Sequence, residues 1–194
     1  MRLATPLTGI AAAVLLATTA HAQTNDTDTD NADTTNGSLE VNMHDVTTDG
    51  VQNAMGTVTI ESSEFGGVLL TPSITDLEPG VYGFHLHTNP SCEPAENDDG
   101  EMTAAQAAGG HYDPDNTETH QGPYAEGHLG DLPVLTVNED GEANTPVLAP
   151  RLSLDDMTDR ALIIHEGGDT YQDEPQLGGG GARMLCGVAP ASAT

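Results

Sequence analysis

The chain has no lysine and no tryptophan, and its 194 residues contain only four fixed cations: Arg2, Arg151, Arg160 and Arg183. Against 31 acidic residues they leave a formal charge of -27. Such a surface repels phosphate backbones and anionic headgroups, which excludes nucleic acid and stable membrane binding. Aromatic residues are 3% of the total, so the core is expected to rest on Val, Leu, Ile and Met. No apolar run reaches the roughly 20 residues of a membrane-spanning helix. There is no internal repeat, and no stretch carries a convincing helical period. There are only two cysteines, Cys92 and Cys186. In an exported chain two cysteines form one bond, which here closes a loop worth roughly 4–5 kcal/mol by chain entropy.

Export is what the N-terminus suggests. Arg2 precedes a short apolar run, Ile10 to Thr18, and Ala20-His21-Ala22 is a small-x-small cleavage pattern. Residues 1–22 are therefore expected to be a secretory signal, for a periplasmic or secreted product. An uncleaved anchor is the rival, and no cysteine follows the run to take a lipid. Losing Arg2 moves the net charge from -27 to -28. Residues 23–37 are rich in Asp, Thr and Asn with Ala32 their one apolar residue, and are expected to be disordered. The acidic balance suits concentrated salt, where repulsion is screened within about 3 Å at 1 M, so a salt-loving source is expected.

The domain proper is expected over 38–194. Leu39, Val41 and Met43 alternate with polar residues as in a half-buried strand. Further strands are expected at Gly56 to Ile60, Gly67 to Thr71 (ended by Pro72), Val81 to His87, Val134 to Val137, Ala143 to Leu148, Ala161 to His165 and Ala182 to Val188. Glu78-Pro79-Gly80 and Glu139-Asp140-Gly141 read as turns, and Gly178 to Gly181 as a flexible run. These strands point to an all-β, eight-stranded antiparallel Greek-key barrel or sandwich. Thr88 to Pro133 has little periodicity, and so long a loop in a compact domain needs a reason. Metal binding and a disulfide supply one.

Six of the eight histidines lie between His85 and His165. His85 and His87 are two apart on a strand, hence on one face, with Cα atoms about 6.5–7 Å apart, and can converge on one ion. Phe84 and Leu86 then face the core. His111, His120, His128 and Asp131 follow at gaps of 9, 8 and 3 residues. Three imidazoles and a carboxylate form an ordinary tetrahedral zinc set, and all-imidazole ligation suits Cu(II). His44 lies apart from the cluster and reads as a surface residue. Arg151 and Arg160 read as structural.

The strings Gly83-Phe84-His85-Leu86-His87, Ala108-Gly109-Gly110-His111, Gly127-His128-Leu129-Gly130-Asp131-Leu132-Pro133 and Gly178–Gly187 (GGGGARMLCG) resemble the bacterial, periplasmic copper/zinc superoxide dismutases. The resemblance covers roughly Ser38 to Pro190. It implies copper on His85, His87, His111 and His165, and zinc on His111, His120, His128 and Asp131. Asp169 is implied to join a copper histidine to a zinc histidine. The implied activity is dismutation of superoxide to dioxygen and hydrogen peroxide, with His111 bridging the metals and carrying a proton, and Arg183 guiding the anion. The absence of lysine departs from the family, whose members often steer superoxide with lysines. Salt is therefore expected to raise activity by screening. Members occur as monomers and dimers, and a homodimer is expected.

The alternative is a non-enzymatic periplasmic copper/zinc-binding module, which the same histidines would serve. Such a carrier favours Met or Cys ligands for Cu(I), whereas here the methionines are scattered. A hydrolytic zinc enzyme needs an open zinc position, and the zinc set already supplies four ligands.

Overall fold

The computed structural model describes Met1 and residues 37–191. The expected signal and acidic segment therefore lie outside the described residues, apart from Met1 and Gly37. The strands are β1 (Ser38–Thr47), β2 (Gly50–Ser62), β3 (Val68–Ile74), β4 (Gly80–Tyr82), β5 (Phe84–His87), β6 (Ala95–Glu96), β7 (Met102–Thr103), β8 (Leu135–Val137), β9 (Val147–Ala149), β10 (Ala161–His165) and β11 (Arg183–Val188). Seven form one antiparallel sheet in the order β5-β10-β11-β1-β2-β3-β9, while β4 pairs with β8 and β6 with β7. Strand β11 returns from the far end of the chain to lie beside β1, the Greek-key placement.

The expected strand Val81 to His87 is broken at Gly83, whose N–H donates to the Gly167 carbonyl at 2.7 Å. With β4 and β5 taken as its two halves, and the β6–β7 hairpin assigned to the long loop, the body has the expected eight strands. Pro72 does not end β3, contrary to the sequence expectation. The N–H and C=O of Ile74 bond Ala143, away from β2. Pro72, two residues earlier, points its nitrogen to the same outer side, so no ladder bond with β2 is lost. Among the described residues the only α-helical element is the single turn α1, Leu154–Met157, closed by reciprocal hydrogen bonds between Ser153 and Asp156.

The alternating positions meet inside the barrel. Val41 and Met43 of β1, Val58 and Ile60 of β2, Leu70 of β3, Phe84 and Leu86 of β5, and Leu162 and Ile164 of β10 are fully buried. Strand β10 is buried on its other face as well. There Ala161 and Ile163 meet Cys92, Ala105, Ala108 and Cys186. This two-sided burial explains why β10 reads as an unbroken apolar run. Cys92 and Cys186 are disulfide-bonded with Cα atoms 5.7 Å apart, which pins the long loop to β11.

Candidate metal centre

Strand β5 lies at the end of the seven-stranded sheet, and its free edge is covered by two pieces of the long loop. Leu86 N–H donates to the Gly130 carbonyl at 2.9 Å, and Tyr112 N–H donates to the Leu86 carbonyl at 2.8 Å. This pairing sets His85 opposite Asp131 and His87 opposite His111. A Cβ on Gly130 would stand 2.2 Å from the Leu86 carbonyl oxygen, so only glycine allows so close an approach. On the other edge of β5, β10 runs antiparallel and ends at His165, whose cross-strand partner on β11 is Arg183.

The structure thereby brings together every metal-binding residue expected from the sequence. His85, His87, His111 and His165 form one group of converging donor atoms. His111, His120, His128 and Asp131 form a second, so His111 belongs to both. Asp131 Oδ1 lies 2.8 Å from His111 Nδ1, 3.0 Å from His120 Nδ1 and 3.4 Å from His128 Nδ1. Four ligands at about 2.05 Å from a tetrahedral ion stand roughly 3.3 Å apart, close to this spread. Asp169 bridges the groups, with Oδ2 2.8 Å from His85 Nε2 and Oδ1 2.7 Å from His120 Nε2.

The donor set fits metal on a further observation. Five buried imidazole nitrogens have no hydrogen-bond partner: His85 Nδ1, His87 Nε2, His120 Nδ1, His128 Nδ1 and His165 Nε2. His120 and His128 stand near Asp131 but are poorly aligned for hydrogen bonds. Orphaned buried polar atoms are rare and costly. Among the described residues all but one of them, Arg160 Nε, belong to the two groups, and lone pairs converging on a cation remove that cost.

Electrostatics divides the groups. Burial, reinforced by neighbouring His111, holds His85 and His87 well below the ordinary imidazole value. Burial takes His165 down to about 4, although the Gly181 carbonyl opposes it. These are neutral imidazoles, the metal-binding form. Burial also lowers His111, against the pull of Asp131. Burial would lower His120 too, but Asp131 and Asp169 outweigh it and raise it to about 9. Burial would raise the two carboxyls, yet the surrounding imidazoles hold both Asp131 and Asp169 below the usual carboxylate range.

A cavity of about 450 Å³ opens onto His87, His111 and His165, with Arg183 in its wall. Arg183 donates to the carbonyls of Ala105 and Gly109, both at 2.6 Å, and the Gly109 carbonyl also lies 2.9 Å from His87 Nδ1. Arg151 donates to the carbonyls of Gly127 (2.7 Å) and His128 (3.3 Å). Arg160 packs 3.7 Å over the Tyr112 ring and donates to Thr88. Both therefore serve the scaffold, as their sequence positions suggest.

Some supporting residues were not legible in the sequence. Asp173 accepts from the backbone N–H of His120 at 2.7 Å. Tyr171 ties two loops together, as described below. Gly178, expected in a flexible run, is instead buried. A Cβ there would stand 2.0 Å from Asp169 Oδ1, so the run is packed against the bridging carboxylate. An acid in an acidic chain and a glycine among glycines carry no distinguishing signal.

Three comparisons agree with this geometry. Residues 54–189 match the family described as copper/zinc superoxide dismutase (SODC). A Salmonella typhimurium protein named superoxide dismutase [Cu-Zn] 2 is 56% identical over 153 residues, 78% of this chain and 87% of that one. Among solved structures, the Cu/Zn superoxide dismutase from Brucella abortus matches with a TM-score of 0.75 at 48% identity, covering 78% of this chain and 98% of that one. The monomeric copper, zinc superoxide dismutase from Salmonella enterica matches with a TM-score of 0.69 at 55% identity, covering 78% and 99%. A family match across most of the chain, together with relatives about half identical in sequence, shows that the chain belongs to the copper/zinc superoxide dismutase family.

Proposed function

We propose that the chain dismutates superoxide to dioxygen and hydrogen peroxide. His85, His87, His111 and His165 hold copper, and His111, His120, His128 and Asp131 hold zinc. The single observation that carries this is His111, shared by two donor groups whose other histidines each hold one buried ring nitrogen without a hydrogen-bond partner. A storage module has no need for a shared imidazole or for an arginine in the wall of the cavity beside it.

Copper bound there supplies reversible one-electron chemistry, and zinc supplies a fixed positive charge. The protein supplies the rest. Asp131 engages His111 Nδ1, which leaves Nε2 as the nitrogen facing the copper group and the atom placed to hold a proton and deliver it to reduced substrate. Asp169 fixes the ring orientations of His85 and His120 and raises their basicity. Arg183, held by two carbonyls, presents positive charge to an anion entering the cavity. The protein around the buried histidines limits access to a small ligand arriving through this mouth.

Export of a mature chain beginning near Gln23, an acidic segment to Gly37 and a catalytic domain over 38–194 complete the reading, with a periplasmic or secreted location. The lack of lysine and the charge of -28 left once Arg2 is lost from a full-chain value of -27 support a salt-loving source, which a melting series in NaCl tests; activity that rises with NaCl tests the screening of superoxide repulsion. A homodimer is the proposed assembly, and sedimentation decides between it and the monomeric state named for the Salmonella enterica relative. The decisive test is metal analysis with a superoxide assay on one sample. One copper and one zinc per chain with activity is expected. Full metal without activity favours the non-enzymatic copper/zinc-binding module.

A further inference from the structure

We infer that Tyr171 is a positioning residue that locks the Asp169 bridge to the zinc-side loop, an inference that rests on the metal-site reading above. Its backbone adopts φ 57°, in the left-handed region where a bulky aromatic residue is an outlier. Glycine or asparagine would accept that conformation more readily, so the aromatic side chain there needs a reason. Two side-chain contacts, added to one made by the backbone, supply one.

The backbone N–H of Tyr171 donates to Asp169 Oδ1 at 2.7 Å, the same oxygen that meets His120 Nε2. Its phenolic oxygen accepts from the Val134 N–H at 2.8 Å, just beyond the Leu132-Pro133 end of the zinc-side loop. Its ring lies against Gly122, where an added Cβ would stand 2.6 Å from Tyr171 Cγ and 2.7 Å from Cδ1. The N–H groups of Gln121 and Gly122 in turn reach Asp131 Oδ2 at 3.1 and 3.4 Å. One half-buried residue therefore spans both carboxylate frames, by its backbone on one side and its side chain on the other. It reaches Asp169 through its own amide and Asp131 through the peptide under its ring. The left-handed turn aims both at once.

The test uses the full metal-loaded protein and reads zinc release to a chelator, copper release, and the visible d–d band of the bound copper. Tyr171→Phe keeps the ring and removes the acceptor for Val134. Gly122→Ala leaves Tyr171 intact but displaces its ring. Tyr171→Gly keeps the turn and removes the side chain. Zinc release is expected to accelerate by about tenfold in the first two and by up to about 100-fold in the third, the range seen when supports of metal ligands are lost. Copper release should change by less than about twofold, with the d–d band shifted through His85. Wild-type zinc release in Tyr171→Gly overturns the inference. So does a lowered melting temperature with zinc release and d–d band unchanged, since that marks a merely structural role. A wild-type chain that takes up no zinc overturns the metal-site reading, and this inference with it.

Discussion

His85, His87 and His165 stand on strands, at positions fixed by ladders with β10 and β11. His120, His128 and Asp131 stand in irregular chain, 33 to 44 residues beyond His87. The proposed copper half is held by the same hydrogen bonds that hold the sheet. The proposed zinc half depends on specific supports: Asp173 on the His120 amide, Arg151 on the carbonyls of Gly127 and His128, and Tyr171 on Gly122. The first half is lined with neutral, burial-depressed imidazoles, while the second gathers its imidazoles around carboxylates held ionised. The sheet sets its imidazoles through backbone ladders, with one carboxylate, Asp169, on His85, whereas the loop sets its imidazoles around Asp131 and Asp169.

That contrast can be broken at its joint. His111→Ala removes the one residue common to both halves. Turnover is expected to fall by about 10³-fold, within the range of general acid–base losses, with zinc also weakened. A superoxide assay with metal analysis checks this, and near-normal activity would mean the halves work independently. Asp169→Asn comes next. It removes a carboxylate that serves His85 and His120 together, and the affinity for each metal is expected to drop by about 10- to 100-fold in chelator competition. If only zinc responds, the strand-borne half does not need the bridge.

Arg183→Ala is expected to be milder. Turnover should fall by about tenfold, the size of one partly screened charge contact, with copper and zinc content unchanged. Full activity removes Arg183 from the anion path. The smallest effect separates the halves by pH in metal-stripped protein. His165 sits at about 4 when folded, so its contribution is present above the ordinary value and is lost as pH falls from roughly 6.5 through about 4. His120 is raised to about 9, so its contribution is present below roughly 6.5 and lost as pH rises through about 9. Melting temperature should therefore fall at both ends of the range. A one-sided profile would mean that the halves do not differ in this way.

The fold was legible where one face of a strand is buried. Leu39-Val41-Met43 alternate because β1 has a wet side, and the short apolar run at Ala161 to His165 marks β10 with matching ends. The breaks were not. Gly83 interrupts a strand because of a hydrogen bond to Gly167, far along the chain, and Pro72 is tolerated because its nitrogen happens to face outward. Neither partner is visible locally. The candidate metal donors were legible because His, His and Asp at short gaps are a chemical signal that survives without coordinates. Asp169 aside, which the family resemblance implies, their supports were not, because an amide, a carbonyl or the space above a glycine leaves no mark on composition.

The sequence by itself determined which side chains can bind metal, which strands carry a buried face, and that three arginines are the only fixed cations after residue 2. Those are properties of residue type and short-range order. Tertiary structure alone decided that His87 faces His111 and His85 faces Asp131, and that His165 and Arg183 are cross-strand partners. These pairings depend on how the long loop folds back against the free edge of β5, and no local preference of the loop residues fixes that return.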